Sequence, residues 1–387
     1  MRVLDLSRVL AGPWAGQLLA DLGADVVKVE RAGTGDDTRG WAPPFLVNPE
    51  TGFQEAAFFI GCNRGKRSIE VDFTTAEGQE LVRSLASKAD VLIENFKVGG
   101  LAKYGLDHQS LRQAFPSLIY CSVTGFGQDG PYAERAGYDF VMQGLGGLMS
   151  VTGEPDHVPG GGPMKVGPAL TDIMTGLYAA TAICAALYER KQSGRGRFID
   201  MALLDVQVAS MANFGWNYLV TGKDTERMGN AVPSLVPYQA FRTADGHMIV
   251  AVGNDGQFSR FCHAIGRADL AEDDRFIAGH DRVRHRVALT DTIIPILQGR
   301  STAEWIAIFE AAKVPCGPIN KMSQVYADPQ VVHRGLKMTL PHSKLGSTVA
   351  VAAPIKIDGG PLEYRRGAPT LGEHSEEVIR EWLGQPG

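Results

Sequence analysis

The sequence predicts an α/β protein whose larger domain is built on an open parallel sheet. A βαβ unit of about thirty residues opens the chain. Apolar strands over 3–6 and 25–30 flank a helix over 14–22 that ends at Gly23. The same alternation recurs along the next part of the chain, and such alternation is typical of a parallel sheet with helices on its faces. The 387 residues exceed one ordinary core, so two domains are expected.

Each further element of the large domain has a local signal. Short runs of apolar and β-branched residues predict strands, and apolar residues at helical spacing predict helices. The strands lie at 91–93, 118–123 and 198–203, and the helices lie at 76–87, 110–114, 172–191 and 206–219.

A smaller α+β domain follows a linker rich in Gly and Pro. Strands over 238–242 and 247–252 surround Ala244-Asp-Gly246, which is a strong hairpin signal and marks a change to antiparallel pairing. Helices are predicted at 257–265, 284–297 and 302–312, and Ser301 with Glu304 forms a capping box for the last. The predicted domains are therefore 1–221 and 222–318, and 319–387, with a strand over 348–357, returns to the large domain.

Composition excludes several classes of protein. The net charge of −5 offers no basic surface for nucleic acid, so no nucleic-acid partner is expected. The five cysteines are far apart and form neither a CxxC pair nor zinc spacing, which indicates a reducing compartment and no metal. No signal-peptide pattern opens the chain, and the uncharged segment 173–188 favours a buried helix over a membrane span. We therefore expect a cytoplasmic enzyme without a membrane partner.

One carboxylate lies where that apolar helix begins. Asp172 follows Gly167 and Pro168, and local rules favour a helix N-cap, formed either by Asp172 or by Thr171. If Thr171 is the cap, Asp172 is free to point into a cleft. The chain has no GxGxxG, P-loop, HExxH or GxSxG motif, so a carboxylate nucleophile remains the main chemical reading. A helix N-terminus would favour its ionised form and could stabilise an oxyanion.

Several motifs together resemble the class III CoA-transferases, the family of formyl-CoA transferase and carnitine CoA-transferase. The resemblance covers essentially the whole chain, and the Gly35–Phe45 and Val236–Phe241 segments are most similar to the dicarboxylate branch that uses succinyl-CoA and glutarate. The motifs that carry the family resemblance lie at 4–13, 22–31, 35–39, 66–69, 94–96, 135–139 and 171–172.

The resemblance implies a fold, an assembly and a site. It implies a Rossmann-like large domain built from both chain ends and two interlocked, ring-shaped chains in a homodimer. CoA is expected as substrate, without metal or redox cofactor. The family's catalytic aspartate falls on Asp172, which makes the cap reading the minority one. The family's CoA contacts fall on Leu10, Ala11, Arg31, Val71 to Thr74, Asn95, Phe96, Lys97, Lys103, Ala136, Gly137, Tyr138 and Asp139.

Departures from formyl-CoA transferase bear on the substrate. Leu10 replaces a glutamine, Ala136 replaces a lysine, and the run of glycines before the hairpin is absent, so formate is not expected. A short dicarboxylate needs a cation for its distal carboxylate, and Arg39 is the first candidate, with Trp41 beside it and Arg64 as the alternative. An ordinary surface arginine is about as probable a reading of Arg39.

The same superfamily contains α-methylacyl-CoA racemases, which are the alternative function. They pair the aspartate with a histidine, and this chain has Tyr138 at that position. Racemisation needs a second proton-transfer group of suitable pKa. A tyrosine phenol has a pKa of about 10 in model peptides, so it replaces a histidine poorly in this role. Tyr138 therefore favours the transferase. A CoA-binding module without catalysis is the third reading, which Asp172 disfavours.

Overall fold

The computed structural model describes residues 1–384, which form two compact units. The large unit comprises Met1–Leu148, Lys165–Lys223 and the chain from Pro329 onward, and the small unit comprises Met149–Met164 and Asp224–Asp328. The sequence-based division differs from these units mainly in the segment 149–164, which it left in the large domain. Within the small unit this segment is held by a hydrogen bond from Gly229 N to Gly153 O (3.1 Å) and by an ion pair between Arg227 and Asp156.

The strands are numbered in chain order. They are β1 Arg2–Asp5, β2 Asp25–Glu30, β3 Phe45–Val47, β4 Gln54–Ala56, β5 Arg67–Glu70, β6 Val91–Glu94, β7 Ile119–Thr124, β8 Phe198–Ala202, β9 Tyr238–Arg242, β10 His247–Ala251, β11 Cys316–Pro318, β12 Lys337–His342, β13 Gly346–Val351, β14 Lys356–Ile357 and β15 Gly360–Pro361.

The helices are numbered in the same way. They are α1 Ala11–Asp21, α2 Ala57–Cys62, α3 Ala76–Ala86, α4 His108–Ala114, α5 Asp139–Leu145, α6 Leu148–Val151, α7 Leu170–Ser193, α8 Leu203–Ser210, α9 Ala212–Thr221, α10 Asp255–Ala264, α11 Asp269–Glu272, α12 Gly279–Arg284, α13 Arg286–Leu297, α14 Thr302–Ala311, α15 Met322–Val325, α16 Pro329–His333 and α17 Ser375–Val378.

The large unit is built on a six-stranded sheet with the order β5-β2-β1-β6-β7-β8, in which every neighbouring pair is parallel. This confirms the predicted α/β class and parallel sheet. When only the six strands of this sheet are numbered along the chain, their order is that of a doubly wound, dinucleotide-binding type of fold. The order in which the strands are added to the sheet reverses between β1 and β6. Ligands of such folds bind in the crevice outside the carboxyl ends of the strands at this switch point.

Alternate side chains of the sheet enter two apolar cores, as expected for strands covered on both faces. Leu4 and Leu92 pack into one core, while their neighbours Val3 and Val91 pack into the other. The second core also receives α7, which approaches α1 closely at Gly176. A Cβ on Gly176 would lie 2.8 Å from Ala11 O, so no larger residue fits without movement.

The small unit contains the predicted hairpin. Strands β9 and β10 are antiparallel, with His247 opposite Arg242, and β11 extends them to a three-stranded sheet. Ser301 and Glu304 form the predicted capping box at the start of α14.

Two predicted elements of the large unit are divided in the structure. The helix expected over 206–219 is instead two helices, α8 and α9, because Ala212 adopts a left-handed backbone (φ 45°) at their junction. The strand expected over 348–357 is β13 and the short β14.

Candidate active site

A cavity of about 220 Å³ lies at the switch point of the sheet, and Asp172 is one of its walls. The loop after β1 and the loop after β6 line it on one side, and the segment before α5 lines it on the other. This cavity brings together nine of the residues that the sequence selected. They are Leu10, Ala11, Asn95, Phe96, Lys97, Ala136, Gly137, Tyr138 and Asp172.

Asp172 lies in the first turn of α7, but it does not cap the helix. The cap comes from Asp139, whose Oδ2 accepts hydrogen bonds from the backbone N–H groups of Thr171 (2.8 Å) and Asp172 (3.3 Å). Thr171 is not the cap either, since its hydroxyl donates to Gln207 Oε1 at 2.7 Å. Asp139 thus satisfies two N–H groups that a helix start leaves without partners. Both local predictions for the cap are wrong because the acceptor comes from a distant part of the chain.

The carboxylate of Asp172 receives no hydrogen bond from any of residues 1–384. Burial raises the pKa of Asp172 to about 7, and the negative charge of Asp139 adds to the increase. The expected lowering by the helix N-terminus is therefore not found. Desolvation and a like charge both disfavour the ionised form, and here they outweigh the helix dipole. A carboxylate poised near neutral pH in a cavity is typical of a functional group.

Tyr138 and Asp139 lie side by side at the start of α5, with different surroundings. The Tyr138 side chain is 60% exposed, whereas Asp139 also accepts a hydrogen bond from Gln143 Nε2 at 2.6 Å. Gly137 precedes them in the chain, and no larger residue fits at this position without movement, because its Cβ would lie 2.5 Å from Gly125 Cα. This close approach brings the segment before α5 against the loop that follows β7.

A second cavity of about 280 Å³ adjoins the first, and Arg8 and Phe96 line both. It contains Arg31, Val71 to Thr74 and Lys103 from the predicted CoA contacts, whereas Asp139 lines neither cavity. Neither Arg31 nor Lys103 forms an ion pair with a residue in 1–384. Apart from Asp139, the CoA contacts selected from the sequence therefore divide between two neighbouring cavities, one with Asp172 and one with these cations.

The loop after β1 is held by buried charges that sequence reasoning missed. Lys28 Nζ donates to Ser7 O (2.8 Å) and pairs with Asp36 Oδ2 (2.8 Å). Asp36 Oδ1 in turn accepts the backbone N–H groups of Val9 (3.3 Å) and Thr38 (2.9 Å). Val9 has a left-handed backbone (φ 71°), which is strained for a β-branched residue. Such strain is often found at functional sites.

The three residues proposed to recognise the substrate lie elsewhere. Arg39 binds Glu30 Oε1 (2.7 Å) and Glu55 Oε2 (2.5 Å), and its guanidinium stacks on Phe59 with 3.6 Å to the ring centroid. Its charge is thus already paired inside the protein, which argues against Arg39 as the reader of a substrate carboxylate.

Arg64 and Trp41 also lie outside both cavities. Arg64 is buried, and its guanidinium is bound to the carboxylate of Asp21 through two hydrogen bonds. The two N–H groups that would bind a substrate carboxylate are therefore already occupied. Trp41 is 44% exposed and packs edge-on against Phe58. Sequence spacing could not reveal these pairings, because the partners come from separate elements. Among residues 1–384 no cluster of three or more potential metal ligands occurs.

Comparison with known proteins adds the family. A profile of CoA-transferase family III matches residues 1–375. The chain is similar to a succinate–glutarate CoA-transferase of Agrobacterium fabrum (51% identity, covering 98% of this chain and 94% of that protein). It is also similar to human succinyl-CoA:glutarate CoA-transferase (40% identity, covering 99% and 85%). A crystal structure of a CAIB/BAIF family protein from Brucella suis matches with a TM-score of 0.86 at 48% identity, covering 99% and 98%.

Proposed function

Because the chain belongs to CoA-transferase family III and is a CoA-transferase, we propose that it transfers CoA from succinyl-CoA to glutarate with Asp172 as the covalent nucleophile. The observation that carries the proposal is the carboxylate of Asp172, which lies in a cavity at the switch point of the sheet without a hydrogen-bond donor among the described residues. The substrates are those that the two similar transferases are named for.

The reaction has two symmetrical halves. The Asp172 carboxylate attacks the thioester carbonyl, the C–S bond breaks, and CoA leaves as a thiolate from a succinyl–aspartyl anhydride. The thiolate then attacks the Asp172 carbonyl, so succinate leaves and an aspartyl-CoA thioester remains. Glutarate repeats these steps in reverse and leaves as glutaryl-CoA. No net proton or electron moves, and CoA is needed only as part of the substrate and product.

The environment of Asp172 suits this chemistry. A carboxylate with a pKa of about 7 is more basic, and so more nucleophilic, than an exposed aspartate, and a large fraction is still ionised at neutral pH. The burial that raises this pKa also limits the access of water, which would otherwise hydrolyse the anhydride. The cations Arg31, Lys97 and Lys103 would bind the phosphates of CoA.

A direct assay tests the substrate class. The purified protein is incubated with succinyl-CoA and either glutarate or butyrate, and the new thioesters are separated by chromatography. We expect a higher kcat/KM for glutarate, because a paired cation would stabilise its distal carboxylate. An Arg39→Ala variant should keep this preference, since Arg39 is already paired with Glu30 and Glu55. Preference for butyrate would contradict the dicarboxylate assignment.

The racemase alternative has its own test. Tyr138 replaces the histidine that the racemase reaction uses, so the α-proton of a 2-methylacyl-CoA should not exchange. We expect no deuterium at that carbon after incubation in heavy water with the protein. A matched Asp172→Asn sample gives the background, and rapid exchange above it would overturn the transferase assignment.

The proposal includes a homodimer of interlocked chains in the cytoplasm. Large apolar side chains of α9 support a contact with a second copy, since Trp216 is 67%, Leu219 72% and Val220 78% exposed. Apolar patches of this kind mark interaction surfaces. Sedimentation of wild type and Leu219→Glu would test the dimer.

The helix α7 is long and apolar enough for a membrane span, but its packing on α1 supports a core helix.

A further inference from the structure

Arg8 is the one cation that lines both cavities. The loop after β1 carries it to the passage between the cavity with Asp172 and the cavity with Arg31 and Lys103. Its guanidinium lies 5.2 Å from the ring centroid of Phe96, the other residue common to both cavities. Arg8 was not among the residues selected from the sequence.

The neighbours of Arg8 fix its backbone and leave part of its guanidinium without a partner among the described residues. Asn95 Oδ1 accepts the Arg8 N–H (2.8 Å), and Asn95 Nδ2 donates to Arg8 O (2.7 Å). Its Nη1 pairs with Asp37 at 3.1 Å, and the side chain is 35% exposed. Its Nε has no hydrogen-bond partner among residues 1–384.

This state contrasts with that of Arg39 and Arg64, the two arginines considered above for recognition of the substrate. Arg39 contacts two buried carboxylates, and Arg64 is bound to Asp21 by both arms of its fork. Arg8 has one carboxylate partner, Asp37, which is half-exposed. Arg8 can therefore bind a second anion while losing little of its interaction energy with Asp37. Side chains arranged in this way bind phosphates well, because the guanidinium fork matches two phosphate oxygens.

The order of chemical groups in CoA decides which anion reaches this passage. The nucleotide and its 3′-phosphate lie at one end of the molecule, the thiol lies at the other, and the diphosphate separates the nucleotide from the neutral pantetheine arm. With the thioester at Asp172 and the nucleotide beside Arg31 and Lys103, the diphosphate is the group nearest the passage. We propose that Arg8 binds the diphosphate of CoA and that Asp37 orients its guanidinium. This inference rests on the proposed function.

Binding of CoA fragments tests the assignment. We expect Arg8→Ala to weaken CoA and dephospho-CoA by the same factor, about 10- to 100-fold, because both carry the diphosphate. The affinity for pantetheine, which has no phosphate, should not change. Arg197→Ala is the matched control, since Arg197 is also an arginine with a single carboxylate partner, Glu189, and lies outside both cavities. It should bind all three ligands as wild type does.

Further variants separate the possible failures. Arg8→Lys keeps the charge without the fork and should recover part of the lost affinity, and equal melting temperatures would show that both variants fold. Unchanged dephospho-CoA affinity in Arg8→Ala would assign Arg8 to the 3′-phosphate and overturn the inference. Unchanged CoA affinity with a raised KM for glutarate would assign it to the acid and also overturn it. If wild type itself binds no CoA, the proposed function fails instead.

Discussion

Two groups of carboxylates lie near the carboxyl end of the sheet, one fully buried and one partly buried, and they differ in the charge of their neighbours. Asp5 pairs with Lys66, and Asp36 pairs with Lys28, each at 2.8 Å. Asp172 instead has another carboxylate, Asp139, as its charged neighbour. The first group satisfies the usual requirement that a buried charge be paired, whereas the partly buried Asp172 has no cationic partner among the described residues.

The pKa values reflect this difference. Burial alone would raise the pKa of Asp36, but Lys28 and hydrogen bonds lower it to about 2. Burial also raises the pKa of Asp172, and Asp139 increases it further, to about 7. A paired carboxylate stays ionised and holds a loop in place, while an unpaired one stays reactive near neutral pH. The comparison therefore separates structural from chemical carboxylates by the charge of their partners.

The largest effect is expected from removing the unpaired carboxylate. Asp172→Asn should lower kcat by about 10⁴-fold or more, since loss of a nucleophile removes the covalent route. Its affinity for CoA, measured by calorimetry, should stay within about threefold of wild type. During turnover of wild type only, hydroxylamine should attack the activated aspartyl carbonyl, expel CoA or the acid and leave Asp172 as a hydroxamate. Turnover like that of wild type in the variant would show that Asp172 is not the nucleophile.

Breaking a compensated pair should affect stability instead. Lys66→Met leaves Asp5 without its nearest cation and also removes hydrogen bonds to Pro13 O and Asn63 Oδ1 (both 2.9 Å). We expect a loss of about 3 to 5 kcal/mol in the free energy of unfolding, measured in urea. The exposed Lys88→Met should change it by less than about 0.5 kcal/mol. Equal effects of the two variants would contradict the structural role of the pair.

The unpaired carboxylate should itself reduce stability at neutral pH. Its pKa in the folded chain is about 7, above the value of about 4 in an unfolded chain, so the native state binds more protons between these values. The free energy of unfolding should then fall as pH rises through this window. Asp172→Asn should be more stable than wild type at pH 8 by at most about 4 kcal/mol, with little difference near pH 4. An equal difference at both pH values would contradict this account.

The smallest effect concerns the like-charged neighbour. Asp139→Asn keeps an oxygen for the N–H groups of Thr171 and Asp172 but removes the negative charge. The pKa of Asp172 should fall, so the acidic limb of kcat/KM should move from about pH 7 to lower pH by about half a unit. Burial, the larger cause, remains in the variant. A shift of the limb to higher pH would show that Asp139 does not act through its charge.

Local sequence patterns predicted the sheet but only part of the site. The strand over 25–30 and the hairpin around Ala244-Asp-Gly246 follow from short-range rules, and both are found. The cap of α7 and the pairing of Arg39 depend on Asp139, Glu30 and Glu55, which are distant in sequence. No local rule places such partners. The position of Asp172 in a cavity came from the family resemblance, because spacing alone favoured an N-cap.

The division of the large unit into three stretches of chain has a consequence for biosynthesis. Its core includes Val378 and Trp382, and Trp382 Nε1 donates to Asp25 Oδ2 at 2.9 Å, so the edge of the sheet near β5 is incomplete until the last residues are made. The small unit has all its residues by Asp328. During translation the six strands of the sheet and the whole small unit are therefore made before the segment that covers the sheet near β5, so this apolar surface stays exposed until that segment emerges.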